Sequence, residues 1–173
     1  MKNFPLKTLN SPFFNDRPDG ALVDLLVIHS MSLPEGEYGK GNIEKLFLGT
    51  LSPAEHPSFE SLKDVKVSAH VVIDRAGRMT QFVPFDKRAW HAGISSFQGR
   101  ENCNDYSIGV ELEGTDHTPF TEAQYESLNA LIEKLQTIYP GMTRDRIVGH
   151  SDIAPGRKKD PGIGFDWAKV KAQ

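Results

Sequence analysis

The chain has 173 residues, 38% hydrophobic and 25% charged, with one cysteine and a formal net charge of −3, a balance that predicts a single soluble globular domain. Weak acidity with no basic run speaks against a nucleic-acid partner and against electrostatic membrane association, and no apolar stretch reaches the roughly 18 residues of a membrane span. The N-terminus lacks the apolar core of a signal peptide, and the lone Cys103 fits a reducing compartment, so a cytoplasmic location is expected.

In chain order, "ALVDLLVIHS" (21–30) is an almost wholly apolar run of strand length that delivers His29 at its end. The stretch 31–66 is long and mostly irregular, with a short helix expected over 41–49. Loops of that length tend to be functional, so a lid or cleft wall is expected there. "VKVSAHVVIDRAGRMTQFVPF" (65–85) holds two β-rich runs split by "DRAG", a hairpin with Gly77 in the turn. "YSIGVELEG" (106–114) alternates as a strand, with Ile108, Val110 and Leu112 on one face and Glu111 and Glu113 on the other.

"TEAQYESLNALIEKLQTIY" (121–139) has the pattern of an amphipathic helix. Thr121 and Gln124 have capping-box spacing, and Tyr125, Leu128, Leu131, Ile132, Leu135, Ile138 and Tyr139 form one apolar stripe. Pro140-Gly141 ends it. "IVGHS" (147–151) reads as a short strand presenting His150, and 165–173 as a closing helix. Without a regular βαβ rhythm, the expected class is mixed α/β. Its centre is a mixed sheet flanked by helices, with a core over about 22–170.

Two histidines at strand ends, His29 and His150, and an aspartate in the loop "GHSDIAPGRKKDPG" (149–162) can make a His/His/Asp zinc site with an open position. A histidine at a strand end is more often a satisfied core or surface residue, so the pattern alone leaves both readings open. Glu111 or Glu113 can act as general base toward water, or merely solvate a strand face. Lys158 can stabilise an oxyanion, while the neighbouring Lys159 fits a simple soluble loop. Trp90, in "RAWHAGIS", can stack on a sugar if exposed or only pack if buried. His70 lies among apolar residues and reads as structural, and Cys103 has no base in its segment.

The motifs "VIHS", "SAHVVIDRAG", "VPFDKRAWHAG", "NDYSIGVELEGTD" and "GHSDIAPGRKKDPG", in that order, resemble the zinc-dependent N-acetylmuramoyl-L-alanine amidases. Among these, the chain is most similar to the cytoplasmic 1,6-anhydro-N-acetylmuramyl-L-alanine amidases of the AmpD type. The resemblance runs from about Leu25 to Trp167. It implies the amidase and peptidoglycan-recognition fold, Zn2+ held by His29, His150 and Asp160, and catalysis by Glu111 and Lys158. Trp90 and His91 would line the substrate cleft. Asn102 stands where some relatives have an arginine that helps bind the stem peptide's carboxylates, and it has no charge to offer.

The implied partner is a small muropeptide, with no nucleic acid and no membrane, and the enzyme is expected to act as a monomer. The implied reaction is hydrolysis of the lactyl–L-alanine amide in peptidoglycan recycling. A phage-type or wall-acting amidase on intact peptidoglycan is the alternative, followed by a non-catalytic binding module.

Overall fold

The computed structural model describes residues 6–171. The elements in chain order are β1 (Leu6–Thr8), β2 (Phe14–Asp16), β3 (Leu25–Met31), α1 (Asn42–Leu48), β4 (Val71–Ile73), β5 (Met79–Gln81), β6 (Lys87–Ala89), β7 (Ser96–Phe97), β8 (Arg100–Glu101), β9 (Ser107–Glu113), α2 (Glu122–Ile138), β10 (Ile147–Gly149) and α3 (His150–Ile153).

The main sheet runs β1-β5-β4-β9-β3-β10. Only its β4–β5 pair is antiparallel, the others being parallel, so the sheet is mixed, as expected. The β4–β5 hairpin turns at Asp74, whose Oδ1 accepts from the N–H groups of Ala76 and Arg78 at 2.9 Å. Gly77 has φ +77°, and a Cβ there would come within 2.5 Å of the Ala123 carbonyl on α2. Backbone conformation and close approach both require glycine at that turn.

Alternation sorts the parallel strands into two faces. Leu26 and Ile28 of β3, Val71 and Ile73 of β4, and Ile108, Val110 and Leu112 of β9 pack against α2. That helix starts with a capping box, Thr121 Oγ1 accepting from Gln124 N and Gln124 Oε1 accepting from Thr121 N, both at 3.1 Å. Leu128, Leu131, Ile132 and Leu135 are buried, each contributing roughly 1.5–3 kcal/mol. Ile138, expected in the stripe, is instead 50% exposed. It lies about 80° round the helix from Leu128, at the stripe's edge, and is the last helical residue.

The opposite face carries two smaller clusters. One joins Val72 and Phe82 to Ile43, Leu46 and Phe47 of α1, and the other joins Leu25 and Val27 to Ala92, Cys103, Tyr106, Val148 and Ile153. The 31–66 stretch is therefore anchored through α1, and Phe59 in the 3-10 turn Pro57–Leu62 is buried as well.

The buried apolar core runs from Leu25 to Val170, and the segment before it adds strands and contacts. Strand β1 pairs with β5, β2 pairs with β6, and the Arg17 side chain reaches the carbonyls of Phe85, Asn104, Asp105 and Ser107 at 2.9–3.1 Å. Two expectations need correction. His150 does not end a strand but opens α3, because Asp152 Oδ2 accepts from the Gly149 N–H at 2.7 Å and turns the chain into a helix. The closing helix is, among the described residues, only the 3-10 turn Trp167–Lys169. Phe165 and Val170 both bury into the α2 face, whereas an α-helix sets residues five apart about 140° apart around its axis. Residues 172–173 lie outside the described residues.

Candidate metal centre and active site

The site grows from the C-terminal ends of two parallel strands on the face opposite α2. His29 on β3 is the register partner of Glu111 on β9. Parallel register puts their side chains on one face, side by side. His150 arrives from the neighbouring β10–α3 junction, since β10 pairs with β3. The loop after α3 folds back to bring in Asp160, whose carbonyl accepts from Ser151 N at 3.0 Å. Gly149 makes room for that return, because a Cβ there would meet the Pro161 ring at 2.8 Å.

Three ligand-type atoms converge. His29 Nδ1 lies 3.0 Å from His150 Nδ1 and 3.1 Å from Asp160 Oδ2, and His150 Nδ1 lies 3.0 Å from the same oxygen. His150 Nε2 is 3.0 Å from the Ala92 carbonyl, which can only accept. His150 Nε2 therefore carries a proton and donates to that carbonyl, with Nδ1 turned inward. Burial, outweighing the nearby Asp160 carboxylate, lowers the His29 pKa to about 4, so it is neutral near pH 7. Burial alone would raise the Asp160 pKa, but the His150 and His29 rings beside it outweigh burial and lower it.

His29 Nδ1, His150 Nδ1 and an Asp160 carboxylate oxygen thus converge on one point, an arrangement that a divalent cation resolves. Tetrahedral zinc sets its ligand atoms about 3.3 Å apart, a few tenths of an ångström wider than these. The donor set fits a metal, and among the described residues these three are the only His/Cys/Asp/Glu group whose ligand atoms lie close enough to hold one.

Glu111 is buried, and its Oε1 has no hydrogen-bond partner among the described residues. Burial first, and then the charge of Asp160, raises its pKa well above the ordinary carboxyl value. Its unpartnered oxygen lies on the same sheet face as His29. Glu113 is equally buried, but its Oε1 accepts from Gly39 N at 2.6 Å and its Oε2 from Arg75 N at 3.2 Å. The two glutamates that alternation left equivalent are thereby separated, and neither lies on a solvated face. Lys158 is exposed, and its charge is felt at both Glu111 and His29. Lys159 is exposed as well.

A family model for N-acetylmuramoyl-L-alanine amidase matches residues 19–163. The chain belongs to that family. The amidase is 52% identical over 163 residues to the 1,6-anhydro-N-acetylmuramyl-L-alanine amidase AmpD of Haemophilus influenzae, covering 94% of this chain and 89% of that protein. A crystal structure of a selenomethionine AmpD derivative superposes with a TM-score of 0.93 at 52% identity, covering 95% of this chain and 92% of that one. The Escherichia coli amidase AmiD, solved with anhydro-N-acetylmuramic acid-L-Ala-D-gamma-Glu-L-Lys, superposes with a TM-score of 0.64 at 29% identity. That match covers 90% of this chain and 59% of the AmiD chain.

The remaining candidates fall around the amidase centre differently. Trp90 is half-buried, stacked on Phe13 with centroids 6.3 Å apart, and its Nε1 donates to Asn15 Oδ1 at 2.7 Å. His91 has both ring nitrogens engaged, Nδ1 with His29 Nε2 at 2.9 Å and Nε2 with Ser107 Oγ at 3.2 Å. Asn102 is exposed at φ +57°, a backbone conformation that asparagine tolerates better than arginine does. His70 is structural, its Nδ1 accepting from Gly109 N at 3.0 Å. Cys103 is buried with its sulfur 3.3 Å from the Tyr106 hydroxyl.

The motifs gave no reason to single out Asn104, Ser107 or Gly109. A strand glycine facing away from the apolar core was the available signal, since a Cβ at Gly109 would meet the His91 ring at 2.5 Å.

Proposed function

We propose that this amidase hydrolyses the amide between the lactyl group of 1,6-anhydro-N-acetylmuramic acid and L-alanine. It would do so with one zinc ion held by His29, His150 and Asp160, in the recycling of peptidoglycan fragments in the cytoplasm. The convergence of those three inward acceptors beside the unpartnered Glu111 oxygen carries the reading. The AmpD relatives and the substrate held in AmiD support this choice of bond. The cytoplasmic placement follows the likeness to the AmpD type.

Held by His29, His150 and Asp160, zinc would supply Lewis acidity toward the scissile carbonyl and would lower the pKa of water from about 15.7 toward 7. Glu111 accepts the proton of the attacking water through its unpartnered Oε1. The water oxygen bonds to the carbonyl carbon, and Lys158 donates to the oxygen that takes up the negative charge. Glu111 then passes its proton to the alanine nitrogen as the C–N bond breaks. The products are a lactyl carboxylate and a peptide with a free amino terminus. The half-buried Trp90 indole offers a face to the sugar, and Asn102 offers an uncharged amide to the peptide.

Mass spectrometry of reactions with a purified anhydromuropeptide and with intact sacculi tests this. Release of L-alanine-terminated peptide from the soluble substrate, and little from sacculi, is expected. Cleavage of sacculi alone would favour a wall-acting amidase, and binding without turnover a non-catalytic module.

A further inference from the structure

Each histidine of the metal centre has a second ring nitrogen, and the structure hands both to adjacent residues. His29 Nε2 meets His91 Nδ1 at 2.9 Å, and His150 Nε2 meets the Ala92 carbonyl at 3.0 Å. Such outer partners set which nitrogen faces the metal and how the ring is aimed. With His29 Nδ1 turned inward, its Nε2 carries the proton and donates to His91 Nδ1. His91 Nε2 then donates to Ser107 Oγ at 3.2 Å. Gly109, lacking a Cβ, leaves room for the His91 ring.

The dipeptide His91–Ala92 is itself held by one side chain. Asn104 Oδ1 accepts from His91 N at 3.1 Å and from Ala92 N at 2.8 Å. Two backbone donors on one atom identify it as the amide oxygen. Asn104 is buried, in a 3-10 turn tied to the same segment by Asn102 N to Ser95 O at 3.0 Å and Cys103 N to Ser95 Oγ at 3.1 Å. From the other side Arg17 donates to the Asn104 carbonyl at 3.0 Å. The Ala92 carbonyl is further steadied by Arg157 Nη2 at 2.6 Å.

We propose that Asn104 is a positioning residue of the metal centre: its side-chain oxygen fixes the His91–Ala92 segment that orients both histidine ligands. It acts through that segment, by its bonds to the His91 and Ala92 N–H groups. The proposal rests on the reading of His29, His150 and Asp160 as ligands.

The test measures zinc affinity by competition with a chromogenic chelator, alongside the melting temperature of the metal-free protein. Wild type, Asp160→Ala, Asn104→Ala and Asn104→Asp are compared. Asn104→Ala should bind zinc ~10–100-fold more weakly, the usual effect of losing an outer-shell partner. Asn104→Asp keeps an acceptor for both N–H groups and should recover most of that loss. If Asn104→Ala lowers the metal-free melting temperature but binds zinc like wild type, Asn104 is only structural and the proposal falls. If Asn104→Ala does not fold, His91→Phe removes the acceptor facing His29 and leaves the Asn104 clamp in place. Wild-type zinc affinity in that variant would likewise overturn the proposal. Asp160→Ala binding zinc as tightly as wild type would overturn the ligand reading and this inference together, a result distinct from failure of the Asn104 variants alone.

Discussion

His29 and Glu111 are register partners on adjacent parallel strands, so an imidazole and a carboxyl group stand side by side on one sheet face. The sheet sets their separation, and neither depends on a loop for its place. Burial acts on the two in opposite directions. Burial keeps the His29 imidazole neutral and able to bind a cation, and the same burial beside Asp160 raises the proton affinity of Glu111.

Glu111→Gln should therefore leave zinc content near one per chain and lower kcat by about 10²–10⁴, the usual weight of a general base. Measuring bound zinc and turnover on one preparation separates base from ligand. Loss of zinc would mean that Glu111 helps hold the metal.

Glu113→Ala should behave in the opposite way. It removes the acceptor for Gly39 N and Arg75 N, two donors tying the 31–66 stretch and the β4–β5 turn to β9. Hydrogen bonds of this kind contribute about 0.5–1.5 kcal/mol each. Chemical denaturation should show that loss, with kcat reduced far less than in Glu111→Gln.

The contrast between these glutamates marks how far the sequence alone could be read. Period-two alternation over 106–114 placed both on one face, and the structure keeps them there. It could not say which would find donors, because Gly39 and Arg75 lie far away along the chain. The apolar run 21–30 and the capping box at Thr121 were equally legible, since each signal is local. Arg17 and Asn104 were not, because their partners are backbone groups that only the folded chain assembles. The His/His/Asp set was visible as a possibility through spacing and became specific through resemblance to the amidase family.

Lys158→Ala should cost about 10²–10³ in kcat with zinc content intact, as loss of an oxyanion donor does. Lys159→Ala should stay within a few-fold of wild type. Steady-state kinetics on the two variants checks the distinction, and equal losses would reject it.

His70 makes a prediction about pH. Burial lowers its pKa to about 3 in the folded chain, against about 6.5 unfolded. Below about 6.5 the unfolded chain binds a proton that the folded chain refuses, so stability falls as pH drops toward 3. At pH 5 the loss from His70 is about 2 kcal/mol. Unfolding free energies of the metal-free protein at pH 7 and pH 5 should show the fall. His70→Gln should make it shallower, and an unchanged slope would remove His70 as its source.

The most direct test of the central claim is a zinc titration of metal-free enzyme, with hydrolysis of an anhydromuropeptide as readout. Activity should rise linearly to one equivalent of zinc and then level off, with the Asp160→Ala variant flat throughout at low zinc. Full hydrolysis by wild type with zinc removed and chelator present would contradict the account.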